Sequence, residues 1–94
     1  AAPVAEPILA LLAAADAARG QQVAKACAAC HTFDKGGANG TGPALWDVVN
    51  RAKASHGGFT YSDAMKAHAS EKWTYAELNK FLWKPKAAVK GTAM

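Results

Sequence analysis

The sequence contains no apolar run near the roughly 20 residues needed to span a bilayer. Its longest, ILALLAAA from Ile8 to Ala15, is followed at once by Asp16 and has no basic flank before it. It therefore reads neither as a membrane span nor as an intact signal peptide. No segment sustains the alternation of apolar and polar residues that marks a half-buried strand, so strand content near zero is expected. There is no internal repeat. A net charge of +4 is spread diffusely and comes with no nucleic-acid-binding motif, which argues against DNA or RNA as a partner. Bulky side chains are scarce before Trp46, and much of the 51% hydrophobic content is alanine. Alanine favours helix but buries little area, so a 94-residue chain of this kind makes one small soluble domain whose core needs a supplement from a bound group.

What is present falls into three stretches. Residues 1–15 carry Pro3 and Pro7 without a sustained period and read as an arm or linker, helical near its end. Residues 16–94 form the domain proper. Asp16 is a favoured N-cap, and the proline-free AARGQQVAKACAAC after it predicts a helix running into the cysteines. The region 34–60 holds most of the glycines, in DKGGANGTGP and SHGGFT, and reads as loop. Ser62 caps a short predicted helix from Asp63 to about Ala69. Thr74 and Glu77 then form a capping box ahead of Leu78, Phe81 and Leu82 at helical spacing, with Trp83-Lys84-Pro85 as the stop. The expected class is all-α, a few short helices joined by glycine-rich loops.

Cys27, Cys30 and His31 in KACAACHTF are the residues with chemistry to offer. On a helix they stand at i, i+3 and i+4, on one face, with the imidazole beside both sulfurs. Three chemistries use such letters. A thioredoxin-like dithiol needs a βαβ setting that this strand-poor sequence does not offer. A zinc site needs four ligands, whereas His56 and His68 show no finger spacing and there is no second cysteine pair. In the third, two thiols add to porphyrin vinyl groups and the adjacent histidine reaches the iron, giving covalent haem c. Five letters alone leave all three open, with haem the best fit.

A haem used for electron transfer benefits from a second axial ligand, because a thioether opposite the imidazole closes the iron and raises its potential. Met65 lies within a predicted helix and reads as a core filler. Met94 follows the basic loop PKAAVKGT and is the better ligand candidate.

CAACHTF, GTGPALW, RAKASHGGFTYSDAMKAH with Asn50 ahead of Arg51, KWTYAELNKFLWKPKA and KGTAM occur in that order. Together they resemble a class I cytochrome c of the mitochondrial type, most like the periplasmic and membrane-anchored members of alphaproteobacteria. The resemblance covers residues 16–94. It implies the class I fold around one haem c, with thioethers to Cys27 and Cys30 and axial ligands His31 and Met94. It implies that the Pro43 carbonyl orients His31, and that Arg51, Tyr61, Trp73 and Thr92 hold the haem propionates. Leu45, Phe59, Leu78 and Leu82 would line the crevice. Phe81 stands where relatives carry a tyrosine near the methionine ligand. Ala93 replaces a lysine, and Ala24 replaces an aromatic that packs on a C-terminal helix.

Relatives continue into that helix beyond the methionine, and losing it would strip much of the core, so Met94 is expected to end a piece of a longer chain or to be complemented by another polypeptide, the domain otherwise being a monomer. The start of the sequence resembles the linker after a membrane anchor, and a cleaved signal peptide accounts for it equally well. The function implied is a one-electron carrier, not an enzyme, in the bacterial periplasm. It would shuttle between a cytochrome bc complex and a terminal haem–copper oxidase, with Lys25, Lys35, Lys86 and Lys90 meeting acidic docking surfaces. The competing reading is a haem with an open coordination position and peroxidase-like or ligand-binding chemistry.

Overall fold

The computed structural model describes residues 8–94, so the first seven residues of the arm lie outside the described residues. Among the described residues there are four short α-helices: α1 (Ala17–Val23), α2 (Asp63–Lys66), α3 (Tyr75–Trp83) and α4 (Pro85–Ala88). A 3-10 turn at Leu9–Ala14 accounts for the helical end of the arm. Among the described residues there is no strand, only an isolated antiparallel bridge between Ala52 and Lys72. No described helix is long and apolar enough to cross a membrane.

Asp16 caps α1 as expected, its carboxylate accepting the Ala18 N–H at 2.9 Å. The helix is much shorter than the predicted run into the cysteines. After Val23 the chain tightens into a 3-10 turn at Ala24–Ala26, and residues 27–30 are turn. The Cys30 carbonyl accepts the Gly42 N–H at 2.7 Å, a bond to a distant loop that keeps helix from continuing past the cysteines. Such i→i−3 tightening is common at helix ends.

The α2 and α3 N-caps form, although the Thr74 N–H bonds Lys72 O rather than the Glu77 carboxylate. Ser62 Oγ accepts from Met65 N–H, and Thr74 Oγ1 accepts from Glu77 N–H, both at 3.2 Å. α2 stops at Lys66 and residues 67–70 continue as turns, three residues short of the expected end. α3 ends at Trp83, and Pro85 then starts α4 as its first residue, an element the sequence reading had as loop. Proline suits that place because its fixed φ is helical and its missing N–H would have had no partner.

The buried apolar residues are Ala44, Met65, Trp73, Phe81 and Val89. Met65, Trp73, Phe81 and Val89 form one cluster, with Tyr61 and Leu78 packed against it and Trp73 meeting Phe81 edge-on at 5.1 Å. Beside it, residues 50–53 pair with 71–73: Asn50 N–H donates to Trp73 O at 2.7 Å, Trp73 N–H to Arg51 O at 2.8 Å, and Lys53 N–H to Glu71 O at 2.9 Å. Asn50 enters this ladder with φ of 64°, a left-handed conformation that asparagine tolerates better than most residues.

Candidate functional site

The CAACH turn is held by one loop. His31 N–H donates to Cys27 O at 3.0 Å and closes the turn, leaving Cys27 half-buried and Cys30 exposed, both as free thiols. The loop 39–44 then folds back over the imidazole. Its Pro43 carbonyl lies 2.7 Å from His31 Nδ1. A carbonyl only accepts, so Nδ1 carries the proton and Nε2 keeps its lone pair for a metal. Carbonyl partners of this kind set ring orientation and ligand basicity.

Gly42 makes this approach possible. A Cβ there would stand 2.7 Å from both ring nitrogens of His31, and one at Gly40 would stand 3.0 Å from the Cys30 carbonyl. The sequence reading named Pro43 and missed Gly42. The signal was in print as Gly-Thr-Gly-Pro, where glycine permits a backbone to lie against a ring. Asn39 anchors the loop at its other end: its Oδ1 accepts the Ala44 N–H at 2.8 Å, and its Nδ2 donates to Gly57 O at 3.2 Å. Leu45 is half-buried and its N–H donates to Thr32 O at 2.8 Å, tying the segment after Pro43 to the residue after His31.

The residues expected at propionates fall into two sets. Arg51 donates from Nη2 to Ala44 O at 3.2 Å and from Nη1 to Trp46 O at 3.3 Å, so it grips the segment just beyond Pro43. Its Nε is buried with no partner among the described atoms. A buried guanidinium nitrogen of this kind calls for an acceptor such as a carboxylate. Tyr61 Oη accepts the His56 N–H at 3.1 Å and retains its own proton to give, while its ring meets Phe59 edge-on at 4.9 Å. Trp73 packs in the apolar cluster beside Phe81. Thr92 is buried, its Oγ1 accepting the Met94 N–H at 3.4 Å and its carbonyl accepting from Lys86 Nζ at 2.9 Å. Leu78 is half-buried, whereas Leu82 is 60% and Met94 47% exposed.

A second polar group escaped the sequence reading entirely. Lys53 is buried, with 4% of its side chain exposed, and its ammonium bonds Glu71 at 2.8 Å and Glu77 at 2.9 Å. It also lies 4.6 Å from the centre of the Trp73 ring. Burial by itself pulls Lys53 down, but the hydrogen bonds and charges of Glu71 and Glu77 outweigh it and its pKa is raised. Hydrogen bonds from Lys53 and then His68 hold Glu71 down at about 2. Glu77 is lowered by Lys53 and then Lys80. These groups line a cavity of about 130 Å³ that no residue of the CAACH turn borders.

Two thiols three residues apart in one turn, a histidine with a free Nε2, an unpartnered buried Arg51 Nε and a Tyr61 hydroxyl with a proton to give form a donor set that fits haem c. Comparison with known proteins agrees. The cytochrome c family model matches residues 17–94. A cytochrome c homolog of Bradyrhizobium diazoefficiens is 47% identical over 95 residues, covering 100% of this chain and 51% of that protein. Cytochrome c2 of Rhodospirillum rubrum is 46% identical over 83 residues, 85% of this chain and 61% of the relative. The chain thus spans about half the length of the first of these. The structure of cytochrome cH from Methylobacterium extorquens superposes with a TM-score of 0.76 at 40% identity, covering 85% of this chain and 79% of that one. The chain belongs to the cytochrome c family, in its class I branch with the all-α class I fold, whose cofactor is covalently bound haem c.

Proposed function

We propose that this chain is a periplasmic one-electron carrier whose haem c is held by thioethers to Cys27 and Cys30 and ligated by His31 and Met94. The observation that carries the reading is the 2.7 Å contact of His31 Nδ1 with the Pro43 carbonyl, which leaves Nε2 as the free ring nitrogen at the end of the turn that carries both thiols. When bound, the haem supplies an iron that cycles between ferric and ferrous. The chain's own residues do the rest. Arg51 Nε and the Tyr61 hydroxyl would receive a propionate, offsetting its charge where water is excluded. Trp73 and Thr92 would support the propionates, and Leu45, Phe59, Leu78, Phe81 and Leu82 would pack on the ring. A thioether from Met94 would close the iron to external ligands.

Electrons would pass between a cytochrome bc complex and a haem–copper oxidase. Lys25, Lys35, Lys86 and Lys90 are all exposed and available to meet acidic docking surfaces.

The test is spectroscopic. An intact mass equal to the chain plus one haem, without free thiols, is expected. A methionine–iron charge-transfer band in the ferric protein and resistance of the ferrous protein to carbon monoxide are expected with it. Prompt carbon monoxide binding would overturn Met94 ligation and favour the open-coordination reading with peroxidase-like chemistry.

A further inference from the structure

The ion network around Lys53 lies apart from the CAACH turn, yet it meets the proposed haem site at Arg51, two residues away in the same segment, and at the Trp73 ring. Lys53 belongs to the same paired segment as Arg51. Its N–H donates to Glu71 O while the Arg51 carbonyl accepts the Trp73 N–H, so the two residues flank the Ala52–Lys72 bridge. Three backbone bonds are few to hold a ladder, and two-stranded pairings of this length are marginal without added contacts. The Lys53 side chain adds them. One buried ammonium reaches Glu71 in the opposing segment, Glu77 in the first turn of α3 and the face of Trp73, which is itself a ladder residue. A slip of the register would pull the ammonium off both carboxylates and strand it in a buried place, which is costly.

We propose that Lys53 is a positioning residue for Arg51: its ties to Glu71, Glu77 and the Trp73 ring set the register of the 50–53 and 71–73 pairing from which the Arg51 guanidinium is presented to a haem propionate. This rests on the haem-carrier reading. The Arg51 guanidinium reaches forward to the carbonyls of Ala44 and Trp46, so its position needs a firm backbone behind it. The Lys53 network is the side-chain anchor on that backbone. A guanidinium beside a propionate stabilises the ferrous state by offsetting negative charge, so a loosened Arg51 lowers the reduction potential.

The experiment compares Lys53→Met, Arg51→Ala and the double variant in the haem-loaded protein, by redox titration and amide hydrogen exchange. Lys53→Met is expected to lower the potential, and in the Arg51→Ala background the same substitution is expected to move it no further. Exchange at the Asn50, Lys53 and Trp73 amides should quicken about tenfold while α1 amides keep their rates. Lys53→Arg, which retains a cation for both glutamates, should restore both readouts. Equal shifts in both backgrounds would overturn the proposal in favour of a through-space charge effect. An unchanged potential with faster exchange would reduce Lys53 to a structural ion pair and also overturn it. Glu77→Gln, which removes one partner and leaves Glu71 and Trp73, gives the same readouts in milder form if Lys53→Met does not fold. A chain without covalent haem would refute the carrier reading and the propionate half of this one. Its exchange pattern would still report separately whether Lys53 holds the ladder.

Discussion

Gly42 and Pro43 carry the most consequence per atom, because together they decide how His31 presents Nε2. Gly42→Ala places a methyl within 2.7 Å of both ring nitrogens, so the imidazole or the Pro43 carbonyl must yield. Overpacking of this kind costs about 1–3 kcal/mol, and thermal unfolding of the haem-loaded variant should show a loss in that range. The haem absorption spectrum should shift with it, since the ring proposed to ligate the iron would turn. His31 and Pro43 are twelve residues apart, and their pairing was reached from the sequence only through family resemblance. Gly42 was legible in the same motif but went unread, because the need for a missing Cβ shows only when a ring lies against it.

The helices were legible at their starts and less so at their ends. Each of the three N-caps read from the sequence accepts a hydrogen bond from the helix it begins, since capping involves residues only two or three apart. Thr74→Ala should cost about 1 kcal/mol by chemical denaturation, within the range typical of cap removal. The capping box is only half present, because the Glu77 carboxylate bonds Lys53 and Lys80 instead. α1 was overestimated because the chain tightens to 3-10 geometry after Val23, a change that the good helix formers of that stretch do not signal. α4 was missed because Pro85 was read as a stop for α3, which it is, and not also as the first residue of the next helix. Phe81 is the buried residue of α3, so Phe81→Ala should cost about 3–5 kcal/mol. Leu82→Ala should cost far less in the haem-free chain, where Leu82 is 60% exposed, and more once the haem it is proposed to pack on is bound.

For the molecule as a whole, the ion network sets a pH window. Glu71 is held at about 2 and Glu77 is also lowered, so their stabilising pairings are complete above the ordinary carboxylate range near 4.5. That contribution is lost as pH falls from there toward about 2, because the unfolded chain takes up protons first. Lys53 is raised, so its contribution is present below its ordinary 10.5 and is lost as pH rises through the higher folded value. Denaturant midpoints measured across pH should fall at both ends in the native protein, and Lys53→Met should flatten both arms. The net charge of +4 acts over longer distances. Electron transfer to an acidic partner, followed by stopped flow, should slow as salt rises and the screening length falls from about 30 Å at 0.01 M to about 8 Å at 0.15 M.

Chemistry carried by neighbours in the chain was readable from residue letters: two thiols and a histidine within five positions, caps two or three residues from their donors, and an alanine-rich composition with little bulk to bury. Covalent connectivity keeps such groups close in almost any fold. The contacts that turn them into a site join residues far apart in the chain. Pro43 on His31, Gly42 on Cys30, and Lys53 on partners 18 and 24 residues away all depend on how loops close around the small core. Loop closure is decided by packing and by the need to pair buried polar groups, and those arise only when the whole chain is folded.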